Sequence, residues 1–313
     1  MSSVLQGPFR ERDSEAWWRS AWMPLAGFAA MYGPVYWAAA NGIWTTDEHG
    51  HGPLILGVLL WLFWGLRHQI AAVEPKPSPL WGWPTLALGL LVYFLGRVIG
   101  ISIFEFGSQP FIVAGVLLLL KGPGAIRVAW FPLLYFIFMV PLPGILVDAI
   151  TGPLKHWISV IVVELLYAVG YPISRTGVIL TIGQYQMLVA DACSGLNSMF
   201  SLSALGTLFM YIMARASRVH NAIMLASILP IAFAANIVRV IALVLVTYHF
   251  GDEAGQGFLH GAAGMVLMLV ALMFFFALDA LLVRLFGPGN DEAPRRPAPT
   301  PAGLAPGSKA ATP

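Results

Sequence analysis

Charged residues are scarce in this chain, since Asp, Glu, Lys and Arg together make up 10% of its 313 residues. Soluble globular domains carry about 25%, so the composition excludes a soluble fold. The net charge of +2 is also too small for a surface that binds nucleic acid. We therefore predict no nucleic-acid partner.

Cysteine is almost absent as well, because Cys193 is the only one, and this excludes a disulfide within the chain. A lone thiol is either a small buried residue or a reactive group. Which of the two applies depends on its surroundings.

Apolar residues, in contrast, make up 58% of the sequence and occur in long runs. A helix needs about 20 largely apolar residues to cross the ~30 Å hydrocarbon core of a bilayer. The sequence predicts an all-α polytopic membrane protein with about eight transmembrane helices, near 23–41, 53–67, 83–104, 109–121, 127–142, 194–214, 220–249 and 258–286. Residues 23–286 form a single membrane domain between an N-terminal segment, 1–22, and a disordered tail, 287–313.

Basic residues are concentrated in one set of loops and ends. They are Arg10, Arg12, Arg19, Arg67, Lys76, Lys121, Arg127, Arg215, Arg218, Arg284, Arg295, Arg296 and Lys309. The opposite loops, near 42–52, 105–108 and 250–257, contain no Lys or Arg. Because basic residues favour the cytoplasmic side, we expect a multi-pass inner-membrane protein with both termini in the cytoplasm.

One apolar region, 144–170, is left over. If it crossed the membrane, the next helix would leave Arg215 and Arg218 on the outer side, against the charge rule. Ionisable and helix-breaking residues also interrupt it, namely Asp148, Gly152, Pro153, Lys155, His156 and Glu164. We predict an interfacial or re-entrant helical segment, part of an outer insert over 144–192, with a full crossing as the alternative.

The residues around Gly183 predict a short β-hairpin within 178–189, because they are rich in β-branched and aromatic types. A hairpin cannot expose its backbone to lipid, so it must lie above the membrane or inside the bundle. It would deliver the chain to Cys193 from the outer face.

Cys193 lies where this polar segment gives way to an apolar helix. Asp191 or Ser194 would cap that helix, which places Cys193 in or beside its first turn. Unpaired backbone N–H groups and the positive end of the helix dipole favour a thiolate there, and they can hold an acyl oxyanion. The position suits a nucleophile, and a buried structural cysteine is the alternative.

The next apolar run contains Arg239, three residues after Asn236. A charge within a membrane helix is costly, so it usually faces a polar cavity or a partner. Asn236 would share its helix face and orient the guanidinium. The alternative is a structural arginine, bound to backbone carbonyls or to a carboxylate such as Glu164.

His260 begins the last predicted helix, at the same membrane level as Cys193. A neutral imidazole there can take the proton of a thiol and later return it to a leaving amine. A plain interfacial histidine is the alternative, and His249 competes for the role. Cysteine, arginine and histidine thus occur on three consecutive predicted helices, at or near one membrane face.

Three motifs carry a resemblance to a known family. They are Ala192-Cys193-Ser194-Gly195-Leu196, Asn236-Ile237-Val238-Arg239-Val240 and His260-Gly261-Ala262-Ala263-Gly264. In order and spacing they resemble the exosortase and archaeosortase family of membrane cysteine transpeptidases, over residues 25–285. An arginine often follows the Cys-Ser-Gly-Leu stretch in that family, whereas Asn197-Ser198 here resembles the exosortase B subfamily.

A fourth likeness lies in the first outer loop, where His51-Gly52-Pro53 resembles the His-Gly found there in the family. Asp47, Glu48 and His49 lie nearby, and such residues can bind zinc. Their spacing is not diagnostic, so we predict neither a metal nor a cofactor.

The resemblance implies an activity. Family members recognise a C-terminal sorting signal of the PEP-CTERM type, in which Pro-Glu-Pro precedes a transmembrane helix and a basic tail. They cleave near the motif and transfer the new carboxyl end to an acceptor. The resemblance implies that Cys193 attacks the scissile carbonyl, that Arg239 stabilises the oxyanion or orients the thiolate, and that His260 acts as base and acid. The supporting residues are Asp191, Ser194, Gly195, Asn236 and His51.

Two alternatives remain open from the sequence. The first is a non-enzymatic transporter or assembly factor for envelope polysaccharide, in which Arg239 binds an anionic group and Cys193 only packs. No obvious inverted repeat supports it. The second is an intramembrane protease that hydrolyses its substrate without transfer and uses the same residues.

Overall fold

The computed structural model describes residues 9–46, 49–141, 144–188, 196–215, 217–261 and 263–286. Helices dominate it. They are α1 (Phe9–Ala40), α2 (Gly52–Ala72), α3 (Pro79–Ile99), α4 (Ser102–Leu120), α5 (Pro123–Val128), α6 (Trp130–Tyr135), α7 (Gly144–Ala168), α8 (Leu196–Met213), α9 (Arg218–Phe250), α10 (Asp252–Gly261) and α11 (Ala263–Phe286). Two 3₁₀ helices cover Ile43–Thr45 and Phe136–Met139, and three strands are β1 (Ile173–Thr176), β2 (Ile179–Ile182) and β3 (Tyr185–Leu188).

Five described helices are long and apolar enough to cross a membrane. They are Gly52–Ala72, Pro79–Ile99, Ser102–Leu120, Arg218–Phe250 and Gly264–Phe286. By length and composition the chain is therefore a multi-pass membrane protein. The count of eight spans and the interfacial or re-entrant placement of 144–170 stay predictions, although α7 is not among the five. The tail, 287–313, lies outside the described residues.

The chain departs from the predicted spans in several places. The helix α4 begins at Ser102, so the predicted loop 105–108 lies inside this helix and the turn after α3 comes earlier, at Gly100. The helix α1 begins at Phe9, well before the predicted start of the first span at Met23. The predicted helix 127–142 is broken into α5, α6 and a 3₁₀ turn. Pro132 explains the break, because it has no N–H to bond the carbonyl of Val128, the last residue of α5.

Glycine sets the contact between α3 and α4, which form a tight hairpin. A glycine recurs at every seventh residue of α3 and faces α4, at Gly82, Gly89 and Gly96. A Cβ added at Gly89 would lie 2.9 Å from the backbone nitrogen of Ile112 on α4. The two backbones therefore approach each other closely through small residues, as is common in membrane bundles.

One end of the helix bundle is rich in basic residues, and contacts between helices define it. Lys121 at the end of α4 donates to the carbonyls of Ala71 (2.8 Å) and Val73 (3.0 Å), so α2 and α4 end side by side. Phe131 near the start of α6 stacks on Tyr211 near the end of α8, with ring centroids 3.9 Å apart. We call this the basic end, because of Arg67, Lys121, Arg127, Arg215 and Arg284.

The opposite end, which we call the sheet end, holds the turn between α3 and α4, the strands, the start of α8 and the end of α9. The strands form an antiparallel sheet in the order β1-β2-β3. Ile173, Leu180 and Ile182 are buried against α7 and the second half of α9. The predicted hairpin corresponds to β2 and β3, and β1 adds a strand that the sequence pattern did not predict.

We predict that Gly89→Ala lowers the melting temperature of the protein in detergent. The added methyl group has to push against the α4 backbone, and such overpacking costs about 1–3 kcal/mol. The matched control is Gly57→Ala on α2, where no atom lies within 4 Å of an added Cβ. Equal melting temperatures for the two variants would show that the α3–α4 contact is looser than described.

Candidate active site

The proposed nucleophile lies outside the described residues. This applies to Cys193 and to three of its supporting residues, Asp191, Ser194 and Gly195. The helix predicted to follow them is present, because α8 begins at Leu196. Cys193 is therefore joined to the sheet end of the bundle through β3 on one side and α8 on the other.

Arg239 lies inside α9, about 16 Å from Phe250 at the end of the helix. Its side chain is 4% exposed, and Asn236, one turn earlier, is 3% exposed. Apolar clusters flank the pair, one shared with the sheet and the other with α8 and α11. A guanidinium so deeply enclosed depends on polar groups around it, so this turn of α9 is a polar position within an apolar helix.

Two further observations bear on this pair. Within the described part of the chain, Asn236 Oδ1 is buried and accepts no hydrogen bond, which leaves this oxygen available to a donor. Glu164, the alternative carboxylate partner of Arg239, is exposed on α7. The ion pairs between described residues include none that joins Glu164 to Arg239.

His260 does not begin the last long helix, as the sequence predicted, but lies next to the C-terminal residue of the short helix α10. The helix α10 begins with the acidic residues Asp252 and Glu253, whose negative charges are stabilised by the positive end of the helix dipole. The last helix, α11, starts only at Ala263. The backbone thus places His260 at the junction of two helices. The competing histidine, His249, forms a hydrogen bond with the hydroxyl of Tyr171, in which the two atoms are 3.2 Å apart.

Trp44 fixes the loop that contains His51. A Cβ at Gly52 would overlap with Trp44 Nε1, so the indole occupies the space beside this glycine. Trp44 also stacks on Tyr36, with ring centroids 5.9 Å apart, and the hydroxyl of Tyr36 donates to Gln109 Oε1 at 3.1 Å. His51 is therefore held at the start of α2 by a rigid aromatic neighbour, which the sequence analysis did not single out.

The environment of His51 favours its neutral form. Burial of the imidazole, and secondly the charge of the nearby His49, lower the pKa of His51 below its ordinary value of 6.5. Among the described residues, no group of three His, Cys, Asp or Glu side chains is placed to hold a metal ion. Asp47 and Glu48, part of the alternative metal site, lie outside those residues.

At the basic end, a mostly buried cluster of charged side chains links three helices. Asp279 on α11 accepts hydrogen bonds from Arg215, at 2.6 and 3.2 Å, and its Oδ1 lies 2.9 Å from His220 Nε2 on α9. Arg215 follows the last residues of α8, so the cluster ties α8, α9 and α11 together. The sequence predicts Arg215 only as a loop charge. The rule that singled out Arg239, an ionisable residue in an apolar run, would also have found Asp279.

Comparison with known families identifies the chain. The family model for the transmembrane exosortase matches residues 43–277, well over half of the sequence. The chain belongs to the transmembrane exosortase family. No curated protein and no solved structure matches it at a significant level.

Membership of the exosortase family indicates a membrane transpeptidase that acts on sorting signals. The matched region of this exosortase includes His51, Cys193, Arg239 and His260. The exosortase B subfamily and the roles of individual residues stay predictions.

We expect Asp279→Asn to destabilise this exosortase, because it removes the carboxylate charge that Arg215 and His220 both contact in a mostly buried position. Removing one partner of such a pair costs about 3 kcal/mol. Thermal unfolding in detergent measures the change. The control is Glu74→Gln, which breaks a 3.0 Å pair with Lys76 between mostly exposed side chains and should cost less than about 1 kcal/mol. A loss no greater than in this control would contradict a structural role for the cluster.

We also expect His51 to make stability depend on pH. Because the folded protein lowers the pKa of His51 below 6.5, the unfolded chain binds its proton more readily. The free energy of unfolding must then fall as the pH drops through 6.5 and below. Melting temperatures from about pH 7.5 to about pH 5 should fall less steeply for His51→Gln than for the wild type. Replacing the exposed His156 by Gln serves as the control, and identical slopes in all three proteins would refute the expectation.

Proposed function

We propose that the protein is a membrane cysteine transpeptidase that cleaves a C-terminal sorting signal of the PEP-CTERM type and transfers the new carboxyl end to an acceptor. The observation that carries this proposal is the family match, which spans Cys193, Arg239 and His260 together. The burial of Arg239 within α9 supports it, because a charge inside an apolar helix is usually retained for function.

The proposed reaction proceeds in two halves. His260 takes the proton of Cys193, and the thiolate attacks the carbonyl carbon of the scissile peptide bond. The guanidinium of Arg239 stabilises the oxyanion. The C–N bond then breaks, the leaving amine receives the proton from His260, and a thioester remains on Cys193. The acceptor nucleophile loses its proton to His260, attacks this thioester and releases the thiolate, to which His260 then returns the proton.

The proposed partners are substrate proteins that bear the sorting signal, membrane lipid and an acceptor of unidentified chemistry. The distribution of charge supports an orientation with the basic end in the cytoplasm and the sheet end outside an inner membrane. The active site would then face the outer side. A substrate anchored by its own C-terminal transmembrane helix presents the residues before that helix at the same face.

The test is the processing of a tagged substrate in cells that produce the full-length protein. We expect Cys193→Ala and Cys193→Ser to leave the substrate unprocessed at normal enzyme abundance. The control variant is Thr207→Ala on α8, whose hydroxyl only donates to the carbonyl of Ala204 at 2.9 Å, and it should process normally. Full processing by Cys193→Ala would exclude the proposed nucleophile.

Two readouts of the same experiment sharpen the result. Mass spectrometry of the product's C-terminus separates transfer from hydrolysis, since a free carboxylate as the sole product indicates hydrolysis. A membrane-impermeant maleimide added to intact spheroplasts reports on Cys193 alone, because the chain has no other thiol. Labelling of the wild type is expected, and its failure with full labelling after lysis would place the thiol on the cytoplasmic side.

A further inference from the structure

One edge strand of the small sheet, β3, has backbone N–H and C=O groups that point away from the other strands. Ile182 pairs with Tyr185 across the two-residue turn Gly183-Gln184, and Gly183 has a φ of 56°. In a hairpin with a two-residue turn, the closing pair exchanges both backbone hydrogen bonds. Bonding then alternates along β3, so Tyr185 and Met187 bond to β2. The N–H and C=O groups of the other two residues, Gln186 and Leu188, face away from β2.

This edge is open within the described part of the chain. The described strands pair in the order β1-β2-β3, so β3 is bonded on one side only. The sheet is nevertheless firmly held, because one face buries Ile173, Leu180 and Ile182 against α7 and α9. The other face carries polar residues, among which Gln186 is exposed. A fixed strand with an open edge is a template for pairing with another extended chain.

A short segment of chain also connects the open edge of β3 to the proposed nucleophile, Cys193. Cys193 follows Leu188 by five residues, and five extended residues span at most about 18 Å. A peptide bound along β3 would therefore lie within one short segment's reach of the thiol. Along the chain, β1 and β2 precede β3 and lead to Cys193 only through it.

We infer that the open edge of β3 binds the substrate segment before its transmembrane helix, as a fourth antiparallel or parallel strand. This inference rests on the proposed transpeptidase function. The occupant is an extended peptide of the sorting signal, which pairs with the backbone of Gln186 and Leu188. Backbone pairing of this kind is one of the recurrent modes of peptide recognition.

The Pro-Glu-Pro pattern of the proposed signal is compatible with such pairing. In a β-ladder only every second residue of an added strand turns its N–H and C=O towards the neighbouring strand. Proline lacks an N–H and is tolerated in edge strands where that position faces outward. With prolines at alternate positions, the central Glu keeps the one N–H that must face β3.

The test removes one backbone N–H at the open edge of β3 without removing a hydrogen bond between β2 and β3. Gln186→Pro deletes an N–H that does not bond β2, whereas Gln186→Ala keeps it and removes only the side chain. We expect Gln186→Pro to raise the KM for a tagged substrate about five- to tenfold, the loss of one hydrogen bond, with kcat unchanged. Gln186→Ala supplies the reference KM for loss of the side chain alone, and the rise is measured against it. The assay uses the full chain in proteoliposomes.

The opposite edge of the same sheet supplies a matched control. Arg175 on β1 pairs with Leu180 between the bonded pairs, so its N–H also faces outward. Arg175→Pro therefore makes the same backbone change at the edge that lacks a connection to Cys193, with Arg175→Ala as its side-chain control. We expect both variants to keep the wild-type KM. An equal rise in KM for Arg175→Pro and Gln186→Pro would overturn the inference.

A second measurement applies if Gln186→Pro lowers protein abundance. With the wild-type enzyme, a substrate in which the motif's Glu is replaced by Pro loses its N–H, whereas replacement by Ala keeps it. The inference requires the Pro substrate to have the higher KM, and equal values overturn it.

The outcomes separate this inference from the proposed function. If Cys193→Ala processes the substrate, the proposed function fails. If Cys193→Ala is inactive and Gln186→Pro has the KM of Gln186→Ala, only the edge assignment fails. A dimer of the wild type that Gln186→Pro abolishes, with processing unchanged, would assign the edge to a second copy of the chain.

Discussion

Every polar group within the membrane part of this protein has to find its partner inside the protein, because hydrocarbon offers none. Two ionisable side chains meet this constraint in different ways. Asp279 is matched by Arg215 and His220 in a compact cluster at the basic end. Arg239 lies in the half of α9 nearer the sheet end, with Asn236 one turn away. The first arrangement fixes helices to one another, and the second keeps a positive charge inside α9 between two apolar clusters.

The bundle is organised so that these two polar positions share elements. The helix α9 carries both His220 and Arg239, and it contacts α8, α10 and α11. The cluster at Asp279 therefore limits sliding of α8 and α11 along α9. The proposed site uses the same helix, because α8, which follows Cys193, and α10, which contains His260, both contact α9.

The sequence predicted the helical membrane architecture well, because long apolar runs have few alternatives in a bilayer. It also located the hairpin from Gly183 and its β-branched neighbours. It missed β1, whose Ser174 and Arg175 conceal the alternation that Ile173 begins. It merged α10 with α11, because an apolar run does not reveal a break between two helices. It could not foresee the contact of Trp44 with Gly52, since such contacts depend on tertiary packing.

The short helix α6 has a further consequence, which concerns the lipid around the protein. With the 3₁₀ turn it covers Trp130–Met139, about 15 Å, or half of the hydrocarbon core. Trp130, Leu134 and Ile137 form an exposed stripe along it. On this side the apolar surface of α6 is much shorter than the bilayer is thick. A hydrophobic mismatch of this kind is relieved by thinning of the bilayer, by snorkelling of flanking side chains or by oligomerisation. A thinner bilayer beside the protein lowers the cost of drawing the first residues of another transmembrane helix into water.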